Sequence, residues 1–238
     1  MKKVLITLSC AIFLMSCKTS NATSAANTSK NNVAVSIDLV NVIDDKVKVT
    51  IINPTITTET TTFNIPKIVP GTYSEDNYGR FVENVKAFDA KGNPLKIAKM
   101  DENSYTIYNA TKLAKVTYYV NDTYDTEIGA GFGESEDIFS PAGTNIKAGE
   151  NFMLNTHGFV GYFEGKSEIP YTVEVKHPAT LWGATSLIDT NPSNEIDTYN
   201  TSRYAELVDH PMMYSKPDYT QFNVEGMDIV ISVYSPTG

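Results

Sequence analysis

Little in this chain could build a covalent or metal scaffold. Its two cysteines, Cys10 and Cys17, both fall near the N-terminus. No disulfide can staple the rest, so stability has to come from a buried core. Histidine is equally scarce: His157, His177 and His210 are the whole set. None precedes a glutamate and no two are spaced i, i+4, which excludes a helical H-E-x-x-H zinc motif. The nucleophile-elbow pattern G-x-S-x-G is missing too. Basic residues are outnumbered, with 19 Lys and Arg against 28 Asp and Glu. There is no basic patch, so nucleic-acid binding is excluded. Stretches with helical periodicity are few, and Trp182 is the only tryptophan; core packing is its default role.

What is present begins at the N-terminus. Met1-Lys2-Lys3 leads into an apolar run that ends at Leu14-Met15-Ser16-Cys17. A charged start, a short apolar core and a small residue before a cysteine form an export signal ending in a lipobox. The run is about a dozen residues, too short to cross about 30 Å of hydrocarbon as a helix. Residues 1–16 are therefore read as a lipoprotein signal peptide and Cys17 as the lipidated first residue of the mature chain. Acyl chains would hold it at a membrane, each buried methylene adding about 0.8 kcal/mol. Loss of residues 1–16 removes Lys2 and Lys3 and no acid, taking the formal charge from −9 to −11. Residues 18–32, KTSNATSAANTSKNN, carry no aromatic or branched aliphatic side chain. With no face to bury, residues 17–32 read as a flexible tether. Lys18 rather than aspartate follows the cysteine, which points to the outer membrane of a bacterial envelope.

From residue 33 onward, alternation with a period of two dominates. Residues 33–40 and 46–52 flank Asp44-Asp45 as a hairpin. Residues 57–65, 82–89, 95–99, 104–109 and 115–120 read as further strands, and 220–224 with 227–234 form a second hairpin around Glu225-Gly226. Residues 125–149, rich in Gly, Glu and Ser, read as one long loop. A single short helix is predicted over 201–208, capped by Thr201 or Ser202. The fold class is all-β: an antiparallel, twisted, saddle-like sheet or β-sandwich over residues 33–238.

Most polar candidates have plain structural readings. Pro70-Gly71 is a tight turn, proline fixing φ at the first corner and glycine accepting positive φ at the second. Asp209-His210 is not a catalytic dyad, because adjacent residues rarely aim at one atom; Asp209 is expected to bind backbone amides at the helix end. His157 and His177 read as loop and strand-end residues. Glu134, Glu136 and Asp137 read as a solvated acidic loop, since an EF-hand ligand pattern is missing.

Four segments carry a resemblance. They are Ile65-Pro66-Lys67-Ile68-Val69-Pro70-Gly71-Thr72-Tyr73; the stretch from Arg80 to Leu95, RFVENVKAFDAKGNPL; Asn151-Phe152-Met153-Leu154-Asn155 with Gly161-Tyr162-Phe163; and Tyr204-Ala205-Glu206-Leu207-Val208-Asp209-His210-Pro211. In this order they resemble the N-terminal domain of the glycyl aminopeptidase family of zinc metallopeptidases. Ile68 stands where that family often has tryptophan.

The resemblance implies a β-domain that precedes a thermolysin-like catalytic domain, whose H-E-x-x-H helix holds zinc. This chain would then supply no catalytic residue, no metal ligand and no cofactor of its own. It would shape the substrate cleft of a catalytic domain outside these residues, with Pro70, Gly71, Tyr73 and Asn155 as the substrate- or partner-facing residues. An apolar patch near 68–73, with Phe132 or Phe139, should then stay uncovered. The alternative is a stand-alone surface lipoprotein that binds peptides or a protein partner on the same scaffold.

Overall fold

The computed structural model describes residues 31–71, 75–124, 138, 140–191 and 193–237. Cys17, Tyr73, Phe132, Phe139 and the acidic trio Glu134, Glu136 and Asp137 lie outside the described residues.

Seven strands form the largest sheet, in the order Ile196–Thr201, Tyr171–Lys176, Val33–Ile43, Lys46–Ile52, Leu113–Asn121, Val82–Asp89 and Pro94–Leu95. The two-residue alternation explains why these segments are strands. Val33, Val35, Ile37 and Leu39 are buried, as are Val47, Val49 and Ile51, while Ser36 and Lys48 between them are exposed. Burying each such aliphatic side chain stabilises the fold by about 1.5–3 kcal/mol. The hairpin turn has Asp44 and Asp45 at φ 50° and 54°, the left-handed geometry of a two-residue turn that follows strand twist.

Two four-stranded sheets face this one. Tyr162–Phe163, Thr60–Asn64, Ser104–Tyr108 and Ile97–Lys99 make the first; Trp182–Ala184, Met212–Ser215, Asn151–Leu154 and Asn145–Lys147 make the second. All share one core. Phe63 of the first small sheet meets Tyr118 of the large sheet at 5.7 Å between ring centres. Tyr214 of the second meets His177, just past the Tyr171–Lys176 strand, at 5.1 Å. A separate hairpin, Tyr219–Val224 with Met227–Ser232, leaves Tyr219, Phe222, Met227 and Ile231 about half exposed. Among the described residues no helix is long and apolar enough to cross a membrane.

The all-β class holds, with corrections of detail. Val33–Ile43 pairs parallel with Tyr171–Lys176, so the sheet is not purely antiparallel. There are two short α-helices, Thr156–Phe159 and Tyr204–Val208, where one was expected. Neither Thr201 nor Ser202 caps the second. Thr201 is consumed as the last residue of its strand, paired with Tyr171, and Arg203 occupies the cap position. Glu206 reaches back instead, its carboxylate accepting from the Ser202 amide at 2.6 Å and the Ser202 hydroxyl at 2.5 Å. Asp209 closes the helix with its backbone N–H, donated to the Ala205 carbonyl at 3.2 Å, while its carboxylate is exposed. The end of the expected 125–149 loop contains a strand, Asn145–Lys147.

Candidate functional site

The sequence 65–71 leaves the Thr60–Asn64 strand and folds over its end. Ile65 and Pro66 are buried, and the carbonyls of Pro66 and Lys67 accept from the Tyr78 and Asn77 amides at 3.2 and 3.0 Å. Beyond that clamp the segment turns outward. Ile68 is 56% exposed, and Gly71 has φ 98°, a conformation that fits the Pro-Gly turn and disfavours any side chain there.

The Tyr204–Val208 helix forms the opposite wall. Tyr204 is buried and its hydroxyl donates to the Val160 carbonyl; its ring packs 5.0 Å from Tyr162 and 5.5 Å from Tyr171. The Leu207 carbonyl accepts from the Thr156 hydroxyl at 2.8 Å, which ties the two short helices together. Between the walls lies a groove of ≈ 630 Å³, lined chiefly by Pro66, Ile68, Pro70, His157, Tyr162 and Val208. Three of the four segments that carry the resemblance therefore converge on one groove. The fourth supplies the Val82–Asp89 strand of the large sheet.

His157 is the buried polar group of this groove, 5% exposed. Its Nε2 lies 3.2 Å from the Ala142 carbonyl. A carbonyl can only accept, so Nε2 carries the proton and Nδ1 keeps a lone pair. Among the described residues Nδ1 has no hydrogen-bond partner. Burial holds the imidazole below its ordinary pKa, against the opposing pull of the Ala142 hydrogen bond and the Asp76 charge. A neutral ring with a free acceptor is the result. Tyr78 packs edge-on against it at 4.6 Å and donates to Asp76 at 3.0 Å.

Asn155 stands behind the groove, 7% exposed. Its Nδ2 donates to the Pro141 and Gly143 carbonyls at 3.1 and 2.5 Å. That fixes the 141–143 turn, whose Ala142 carbonyl in turn orients His157. Pro70 lines the groove and Gly71 adjoins it. Sequence reasoning missed His157 and Tyr162 as groove residues. The helix that presents His157 is only four residues long and holds Gly158, so no periodicity marks it.

The three histidines are dispersed. His157 binds a carbonyl, His177 faces Asp197 at 3.2 Å, and His210 faces the Ser186 hydroxyl at 2.7 Å. No group of three His, Cys, Asp or Glu side chains among the described residues could hold a metal ion. The described residues thus offer no site for the zinc that the resemblance implies.

The class of protein that this β-fold defines, with three of the segments that carry the resemblance gathered at one groove, is a peptidase N-terminal domain. Residues 34–216 match the Peptidase M61 N-terminal domain, and the chain belongs to that family. No curated protein matches it. Among solved structures, an aminopeptidase N family protein from Idiomarina loihiensis shares the fold, with a TM-score of 0.70 at 15% identity over 85% of this chain and 32% of that one. This chain thus spans about a third of that protein's length. A mutant M1 zinc metallopeptidase from Deinococcus radiodurans, bound to a Tyr-Ser-Ala substrate, gives a TM-score of only 0.42 at 9% identity over 84% of this chain and 46% of its own.

Proposed function

We propose that this chain is the non-catalytic N-terminal β-domain of a lipid-anchored, exported metallo-aminopeptidase-like protein, and that its groove forms part of a substrate cleft completed by a catalytic domain outside these residues. The observation that supports this most is the convergence of residues 65–71, Tyr162 and 204–209 on one groove whose rim residue Ile68 is exposed. An aliphatic side chain at a loop tip gains nothing in the isolated domain. Covering its exposed half would contribute roughly 1 kcal/mol to a contact. The β-domain's role is to orient substrate and exclude water, while zinc and the general base belong to the H-E-x-x-H domain.

The test adds this chain to a separately expressed H-E-x-x-H catalytic domain of the same family and follows glycyl and alanyl anilide turnover. The chain alone should be inactive with added zinc. The mixture should exceed the catalytic domain alone, and Ile68→Asp should remove the gain. Turnover by the chain alone that chelator abolishes, or a mixture no faster than the catalytic domain, would overturn the reading.

The free Nδ1 of His157 supports a second reading, in which the groove takes a peptide N–H directly and the chain acts as a peptide-binding lipoprotein. Calorimetry with a capped alanine peptide and its N-methylated form separates the two. Binding of the first and not the second, lost in His157→Phe, favours this alternative.

A further inference from the structure

Away from the groove, a buried charge network spans the seam between the large sheet and the Trp182 sheet. His177 and Asp197 have side-chain exposures of only 3% and 11%. His177 follows the Tyr171–Lys176 strand, and Asp197 and Tyr199 sit on the adjacent Ile196–Thr201 strand. Tyr214 comes from the facing sheet, where its strand neighbour is Gly183.

The geometry constrains the protons. Nδ1 of His177 lies 3.1 Å from the Pro178 carbonyl oxygen, and Nε2 lies 3.2 Å from Oδ1 of Asp197. Both oxygens are acceptors. A neutral imidazole has one N–H, so it would point a lone pair at one of them. Only the imidazolium satisfies both contacts. Asp197 is held in turn on its other oxygen, Oδ2 accepting from the Tyr214 and Tyr199 hydroxyls at 2.9 and 3.2 Å.

The network sits under a cavity of ≈ 410 Å³ lined by His177, Asp197, Trp182 and Gly183, which gives water a route to the pair. A Cβ at Gly183 would stand 2.8 Å from Oδ2 of Asp197, so that strand rests directly on the carboxylate. Next to it, Trp182 stacks on Tyr219 of the exposed hairpin, 4.7 Å between ring centres and 29° between planes.

We propose that the His177–Asp197 pair, which joins neighbouring strands of the large sheet beneath Tyr214 and Gly183 of the other sheet, is a pH-sensitive latch, closed by the imidazolium and released when His177 loses its second proton, which loosens the Trp182–Ala184 strand and the hairpin stacked on it. Deprotonation leaves Asp197 a buried anion without a counter-charge, which is costly.

The groups facing the ring set the direction. Burial opposes the charge on His177, but the hydrogen bonds to Asp197 and the Pro178 carbonyl and the charges of Asp197 and Asp189 outweigh it, so its pKa stands above the ordinary 6.5. Burial likewise opposes the Asp197 charge, and its bonds to His177, Tyr214 and Tyr199 prevail, keeping it below 3.8. Burial raises both tyrosines, which stay protonated. The Trp182–Ala184 strand contributes no titratable side chain. The latch is therefore fully closed below 6.5 and opens as pH rises through the folded-state value of His177.

The test uses the whole chain. Nitrogen NMR follows the two ring nitrogens of His177 while fluorescence follows Trp182, the sole tryptophan, from about pH 5 to about pH 9. Two protonated ring nitrogens at pH 6.5, a titration midpoint above it and a Trp182 emission change at the same midpoint are expected. In His177→Gln the emission change should vanish. A midpoint at or below 6.5, or emission that stays constant while His177 titrates, would sink the proposal. Both wild-type readouts decide even if the variant does not fold.

Discussion

The Tyr118 hydroxyl is held between two backbone groups of one segment, donating to the Phe159 carbonyl at 2.6 Å and accepting from the Gly161 amide at 3.1 Å. It is a fully buried side chain of the large sheet, and it fixes the chain where the first short helix gives way to the Tyr162–Phe163 strand. The groove floor thus hangs on one phenol. Tyr118→Phe strands a buried carbonyl and a buried amide, each costing about 1–3 kcal/mol. The unfolding free energy should fall by about 2–4 kcal/mol, measured by urea denaturation with an unchanged slope.

Asn155→Leu removes both donors to the 141–143 turn. A loss of about 1–3 kcal/mol is expected. Hydrogen exchange should show the loss locally, with faster exchange at the Thr144 amide, which now donates to the Thr123 hydroxyl at 2.8 Å. Uniform acceleration across the domain would argue against a local positioning role.

Two glycines should respond differently to alanine. A Cβ at Gly161 meets the Phe63 ring and, at 2.7 Å, the Asn64 carbonyl oxygen; overpacking there should cost about 2–3 kcal/mol. Gly92 has open space around the added carbon but φ 83°, so Gly92→Ala should cost about 1 kcal/mol from backbone strain alone.

His157 and His177 should give opposite pH signatures. Burial lowers the folded-state value of His157 below 6.5. Its contribution is present above 6.5 and lost as pH falls through the lowered value, because the unfolded chain binds the proton more readily. His157→Phe should flatten the stability profile on the acid side of 6.5 and leave the alkaline side, where His177 acts, unchanged.

Cys17→Ala should move the protein from the membrane fraction to the soluble fraction of expressing cells. Persistence in the membrane fraction would remove the lipid anchor from the proposed function.

Much of the strand layout was legible because local chemistry determines it. Asp44-Asp45 and Glu225-Gly226 turn with positive φ at both corners, and residues 82–89 form a strand at the predicted bounds. The parallel pairing of Val33 with Tyr171 was not legible, since it joins distant segments and leaves no local pattern. Helix 204–208 starts late because Thr201 pairs in a sheet before it can cap, a tertiary demand that outranks capping preference. The groove was half legible: its loop and helix segments stood out, but His157 lies on a turn of helix too short to show a period.

Val33–Ile43, the first strand among the described residues, enters the large sheet at an interior position, bonded to a parallel neighbour on one side and an antiparallel neighbour on the other. A pull applied at the N-terminal end of this strand would be shared by two ladders at once. Detachment requires both to shear together, whereas a peripheral attachment could unzip one bond at a time. A domain wired this way resists a pull on its leading strand better than one attached through an edge strand.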